Sequence, residues 1–202
     1  MSNSGHRYFK IHKPYNMVSQ FVSSHQVALL GKLDFEFPEG THAIGRLDNH
    51  SEGLLLLTTN KKVTRLLFSG NEPHARTYLV QVNNMLTDEH LLQLQTGIPI
   101  RIKGGGNYVT PPCNVTLVKD VAEQFNISPT LKLYGPHTWL LITLTEGKYH
   151  QVRKMMAAVK HRCKRLIRVS IEDIELGTLV PGAVVEMEEP DFFRRLKIGA
   201  PY

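Results

Sequence analysis

Cysteine is scarce in this chain. Cys113 and Cys163 are the whole supply in 202 residues, and they form no Cys-x-x-Cys pair. That excludes a disulfide framework and a zinc ribbon. His150 and His161 flank a predicted helix with Cys163 just beyond, but their spacing matches no metal-ligand pattern, so no metal is expected. Long apolar runs are missing too. The longest conspicuous one, Leu54 to Leu57, is far too short to span a bilayer, and Met1 to His12 has no apolar signal-peptide core. Nothing directs the chain out of the cytoplasm. Gly104-Gly105-Gly106 is not followed by Gly-Lys-Ser/Thr, so it is a turn and not a phosphate loop. Finally, one block has no acid. From Gly147 to Ile171 there are eight Lys/Arg and no Asp or Glu, against a net charge of +6 for the chain. Such a block is the electrostatic footprint expected for a phosphate backbone. A solvated basic face, or a patch for acidic proteins, is the alternative.

Hydrophobic residues make up 42% and charged residues 21%, which fits a soluble globular chain. The length suits one large domain or two small subdomains sharing a core. The chain is organised around Gly45-Arg46-Leu47-Asp48. A polar turn, Asn49 to Gly53, leads from it into the four leucines. An apolar run bounded by turn residues suits a strand buried on both faces. The reading is a loop carrying Asp48, braced by a core strand. A salt-bridged Asp/Arg turn ahead of an ordinary strand is the plainer alternative.

The remaining elements follow in order. Residues 1–7 read as a flexible lead-in, and Tyr8 to Ile11 as a strand stopped at Lys13-Pro14-Tyr15-Asn16. Val27 to Leu33 gives a weak helical turn. Thr59 or Asn60 can cap a helix to Phe68, with Val63, Leu66 and Leu67 on one face, ended by Ser69 to Pro73. Arg76 to Val82 alternates as a strand. Thr87 caps a helix from Asp88 to Gln95 that Gly97 ends. Ile98 to Lys103 is an edge strand by its Pro99, and Asn114 to Lys119 another strand. Ala122 to Pro136 reads as a surface insertion, and Thr138 to Thr145 as a strand. Val152, Met155, Met156 and Val159 then fall at helical spacing, with Arg153 beside that apolar stripe. Pro181-Gly182 turns into a closing strand, and Pro190-Asp191 starts a short helix to Leu196.

Five of these segments resemble the motifs of the pseudouridine synthases, in particular the RsuA-like ribosomal-RNA branch. They are Lys13-Pro14, Gly45-Arg46-Leu47-Asp48, Arg76-x-Tyr78-x-Val80, the run from Glu146-Gly147 through Gln151-Val152-Arg153-Lys154-Met155, and Leu166-Ile167-Arg168. Arg76 stands where the family usually has lysine, and Lys154 where it has a second arginine. The resemblance runs from Lys10 to Glu188. It implies an α+β fold, a bent and mainly antiparallel sheet shared by two subdomains with a central cleft. The catalytic domain is expected over 8–202. Too few residues precede the first motif for the S4 RNA-binding module common in this branch, which points to the RluE-like subtype without it.

The implied reaction isomerises a uridine of RNA, most simply of large-subunit ribosomal RNA, to pseudouridine, with no cofactor. Small-subunit rRNA or tRNA is the alternative target. The resemblance makes Asp48 the catalytic carboxylate, paired with Arg153. Its route, attack on the nucleotide or removal of a ribose proton, stays open. Tyr78 would stack on the flipped uracil or assist loss of its C5 proton. Leu166 would lie against the reacting group. Lys13, Arg46, Arg76, Lys148, His150, Gln151, Lys154 and Arg168 are the expected RNA contacts. Ribosomal RNA is the expected partner, and a monomer the expected state. A catalytically inert RNA-binding or ribosome-assembly protein, and an unrelated hydrolase with an Asp nucleophile, are the competing readings. Intact Asp48, Tyr78 and Arg153 argue against the first, and no phosphate or metal motif supports the second.

Overall fold

The computed structural model of the chain describes residues 5–68, 72–102, 104–125 and 135–199. The chain divides into two compact units. Unit 1 is Met1–His74 with Arg168–Tyr202, and unit 2 is Ala75–Ile167. Unit 1 opens with β1 (Tyr8–Lys13), β2 (His42–Ile44), β3 (Glu52–Thr58) and α1 (Lys62–Phe68). Unit 2 carries β4 (Arg76–Asn83), α2 (Asp88–Thr96), β5 (Pro99–Arg101), β6 (Asn107–Val109), β7 (Asn114–Val118), α3 (Val121–Gln124), β8 (His137–Leu144) and α4 (Gln151–Ala158). Strand β9 (Cys163–Ile171) begins in unit 2 and ends in unit 1. There β10 (Ile174–Glu175), β11 (Val184–Met187) and α5 (Glu189–Leu196) follow.

In unit 1, β1 pairs antiparallel with both β3 and β11, and β2 pairs antiparallel with β3. Every residue of β3 is buried, as the leucine run predicts. The reason is that both faces are covered. Tyr8 and Phe9 are neighbours on β1, so their side chains take opposite faces. Tyr8 packs on Phe192 and Phe193 of α5, with ring centroids 4.6 and 5.4 Å away. Phe9 packs on Phe35 and Phe37 of the β1–β2 connection, at 5.5 and 5.8 Å. Each leucine buried between such layers contributes roughly 1.5–3 kcal/mol. Asn60 does cap α1, its Oδ1 accepting from the Lys62 N–H at 3.1 Å. Val63 and Leu67 are buried, while Leu66 is only partly covered.

Two expectations need adjustment in unit 1. The helical turn over 27–33 is a single 3-10 turn, Leu30–Lys32. The end of the lead-in is tied down: Arg7 donates two 2.6 Å hydrogen bonds to Glu186, and its carbonyl accepts from Thr58. Residues 1–4, and the stop expected at Ser69 to Asn71, lie outside the described residues.

In unit 2, β8 pairs antiparallel with β4 and β7. Leu94 of α2 and Val152, Met155 and Met156 of α4 pack on Val80, Val82, Leu140 and Ile142 of the sheet, so the predicted helical stripe is the core face. Thr87 caps α2, accepting from the His90 N–H. Gly97 ends it at φ +113°, where a Cβ would come within 2.4 Å of the Thr110 carbonyl oxygen. Strand β5 pairs with β6 in a two-stranded ribbon, which suits Pro99. The strand beginning at Asn107 is hidden in the sequence by the preceding glycines. Lys103 and residues 126–134 of the expected insertion lie outside the described residues. Residues 121–124 at its start form the single turn α3. Among the described residues no helix is long and apolar enough to cross a membrane.

Candidate active site

The Asp48 loop joins β2 to β3 in unit 1. Gly45 opens it at φ +71°, a left-handed conformation that L side chains avoid. A Cβ there would also lie 2.8 Å from the Phe68 ring of α1. The left-handed backbone is what favours glycine at the start of Gly-Arg-Leu-Asp, since the exposed Phe68 ring can turn aside. Arg46 is exposed, Leu47 is buried and Asp48 is half-buried. The Asp48 carbonyl accepts from the Ser51 N–H at 3.0 Å, which closes the turn into β3.

The residues on either side of Asp48 are held from one segment, 13–19. On one side the buried Ser19 hydroxyl bridges the backbone of Leu47. Its Oγ accepts from the Leu47 N–H and donates to the Leu47 carbonyl, both at 2.9 Å. On the other side Lys13 Nζ donates to the Asn49 carbonyl at 3.4 Å, and also to those of Pro14 at 3.0 Å and Met17 at 2.5 Å. Tyr15 and His50 meet ring to ring at 5.4 Å. Burial pulls the Lys13 ammonium down to about 8, against the opposing charges of Glu52 and Asp48. Arg168 is 3% exposed, and its Nε donates to the Leu54 carbonyl at 2.8 Å.

These contacts bear on two sequence expectations. Lys13 and Arg168 are expected RNA contacts; in the structure both are buried, Lys13 on the carbonyls of Pro14, Met17 and Asn49 and Arg168 Nε on that of Leu54. A cation committed in this way braces the loop and does not offer its charge to a phosphate at the surface. Ser19 was missed altogether. It belongs to no periodic segment, and only the folded chain brings it to Leu47.

Unit 2 carries the other predicted residues. Tyr78 is half-buried on β4, on the same face as Val80 and Val82, and packs against the core. Leu166 is part of that core at 5% exposure. Arg76 Nη2 donates to the Thr145 carbonyl at 3.3 Å. Arg153, half-buried on α4, donates from Nη1 to Cys163 Sγ at 3.8 Å. Burial pushes the Cys163 thiol up to about 11 despite Arg153, so this sulfur stays protonated and inert. Arg153 also lines an open cleft of about 360 Å³ with Asn83, Ala157, Lys160, His161, Arg162 and Cys163.

The turn from β8 into α4 is built around Glu146. Its carboxylate accepts from the Tyr108 hydroxyl and, at 2.6 Å, from Gln151 Nε2. Gln151 Oε1 accepts from the Lys148 N–H at 2.8 Å. Gln151, expected among the RNA contacts, is a buried lock on the turn. Glu146 and Tyr108 were not singled out from the sequence, although Glu146 stands inside the quoted motif. Lys148 is exposed, and His150 and Lys154 are half-buried. Among the described residues no group of His, Cys, Asp and Glu has the makings of a metal site.

The model of the RNA pseudouridylate synthase family matches residues 7–158. The chain belongs to this family. The matched span takes in Lys13, Asp48, Tyr78 and Arg153, while Leu166 and Arg168 lie beyond it. Ribosomal large subunit pseudouridine synthase E of Xanthomonas axonopodis pv. citri is 34% identical, over 85% of this chain and 88% of its own. Its namesake in Vibrio parahaemolyticus is also 34% identical, over 87% of this chain and 71% of its own. Ribosomal small subunit pseudouridine synthase A of Yersinia pestis is 29% identical, over 98% and 75%. Among solved structures, a crystal structure of a pseudouridylate synthase superposes with a TM-score of 0.76 at 25% identity, covering 95% of this chain and 74% of that one. The protein is thus an RNA pseudouridine synthase, an isomerase with the α+β fold that the motifs imply.

Proposed function

We propose that this synthase isomerises one uridine of large-subunit ribosomal RNA, with Asp48 as the reacting carboxylate. The similarity to proteins named large subunit pseudouridine synthase E, over most of both chains, carries the choice of target. The support for Asp48 is its loop. A half-buried carboxylate whose neighbours on both sides are held by Ser19 and Lys13 is pre-positioned, and pre-positioning is what a reacting group needs. In the reaction the N1–C1′ bond of the uridine breaks and the C5–C1′ bond forms. The C5 proton is lost and N1 gains one, so the atoms balance with no cofactor. Asp48 acts ionised, either attacking the nucleotide or taking a ribose proton. Tyr78 offers a ring for the flipped base and a hydroxyl for the C5 proton. Arg153 acts in turnover more than in RNA binding. The enzyme works as a cytoplasmic monomer. The base must leave its stack, at about a few kcal/mol if paired, so the RNA is distorted when bound.

The test is pseudouridine mapping of large-subunit rRNA from cells lacking the protein, rescued with wild type or with Asp48→Asn. One pseudouridine should vanish and return only with wild type. The substitution should cost on the order of 10⁴ in turnover. Loss of a small-subunit or tRNA site instead would move the target. Full rescue by Asp48→Asn would remove the aspartate from the mechanism.

A further inference from the structure

The mechanism leaves one exposed feature unused. Tyr149 is 66% exposed, although a tyrosine ring is a large apolar group. Its ring lies flat against His150, centroids 3.9 Å apart and planes 17° apart. In an extended segment consecutive side chains point to opposite sides. Here His150 adopts a left-handed conformation, φ 55°, which brings its ring to the side of Tyr149. Such conformations cost energy and persist where the surroundings impose them. The surroundings are the lock described above: Glu146 held by Tyr108 and Gln151, and Gln151 holding the Lys148 N–H. Cations complete the surface. Lys154 Nζ lies 5.4 Å from the Tyr149 ring centroid, and Lys148 Nζ lies 4.8 Å from that of Tyr108.

We infer that the Tyr149–His150 pair is a stacking platform for an unpaired nucleotide of the RNA, other than the target uridine. An exposed aromatic ring, fixed in orientation and bordered by lysines, is how proteins hold single-stranded nucleic acid: bases stack on the ring and the ammonium groups neutralise phosphates. Duplex RNA keeps its bases inside and offers mainly phosphates and 2′-hydroxyls, for which a flat ring has no use. The site therefore favours a loop or bulge over a continuous helix. This inference rests on the RNA pseudouridine synthase reading and adds a class of substrate structure to it.

The test uses the full chain and two labelled probes, a 12-nucleotide oligouridylate and a 12-base-pair RNA duplex, with binding read by fluorescence anisotropy. Tyr149→Ala should weaken oligouridylate binding about tenfold and leave duplex binding within about twofold. Tyr149→Phe and Tyr149→Trp keep a ring and should bind like wild type. Equal affinity of Tyr149→Ala and wild type for the oligouridylate would overturn the platform. Equal losses on both probes would overturn its preference for unpaired RNA. A wild type that binds neither probe would also overturn the platform, while the rRNA mapping decides separately whether the enzyme reading stands.

Discussion

The Asp48 loop and the Glu146–Lys154 turn are both stretches of family signature, yet they use their basic residues in opposite ways. Around Asp48 the cations are inside. Lys13 and Arg168 satisfy backbone carbonyls, and the one exposed cation of the loop is Arg46. Around Glu146 the amide side chain is inside, while Lys148 is exposed and Lys154 half-buried. Gln151 locks the turn, while Lys148 and Lys154 lie over aromatic rings. The lesson is that a basic residue in a signature does not reveal, by its type, whether it serves the ligand or the loop. Burial decides, because a buried ammonium is stable only where acceptors surround it.

The largest test of this contrast is Lys13→Met. It should lower stability by about 3 kcal/mol, because the buried carbonyl of Met17 loses its partner at roughly 1–3 kcal/mol and the half-buried ones of Pro14 and Asn49 lose theirs at less. Chemical denaturation at pH 7 would measure it, and a loss within about 0.5 kcal/mol, the norm for a surface substitution, would show that the ammonium is dispensable. The pH dependence gives a second readout. Lys13 sits near 8 when folded, against its ordinary 10.5. Below pH 8 it is charged in both states, so its contribution is flat. Between 8 and 10.5 the unfolded chain keeps a proton that the folded chain has released, so stability rises with pH. Lys13→Met should lack that rise.

A smaller effect is expected at Ser19. Ser19→Ala leaves the Leu47 N–H and carbonyl without their bridge, at about 1–3 kcal/mol. If the bridge orients Asp48, kcat should fall about tenfold with RNA affinity unchanged, since misplacement of a reacting group acts on turnover. A protein less stable but equally fast would make Ser19 a fold residue only.

Much of this was legible in the sequence, for identifiable reasons. The leucine strand announced itself because burial on both faces removes alternation. Helix α4 did so through its apolar spacing, and α2 through Thr87 and Gly97. Strands β2 and β10 have only three and two residues, too few for any period. Asp48 and Tyr78 stand out in the sequence because each belongs to a signature. The site was not legible where the role is tertiary. Ser19 reaches Leu47 across 28 positions, and Arg168 reaches Leu54 across 114. Arg165 and Arg168 count toward the charge of the acid-free block but are 4% and 3% exposed, which the sequence does not show.

The smallest expected effect on stability comes from the other side of the contrast, the double variant Lys148→Ala with Lys154→Ala. Lys148 is exposed, and each ammonium lies near a ring without a buried acceptor to satisfy. Cation–π contacts at exposed sites contribute about 0.5–1 kcal/mol, so the denaturation midpoint should move far less than for Lys13→Met. RNA binding should respond instead. Each phosphate contact to a single strand adds about 0.7 to the slope of log affinity against log salt. Removing two should flatten that slope by about 1.4, with weaker binding at low salt and convergence with wild type at high salt. An unchanged slope would mean that these lysines, like Lys13, serve the protein's own structure. The contrast between the two regions would then reduce to a difference in exposure.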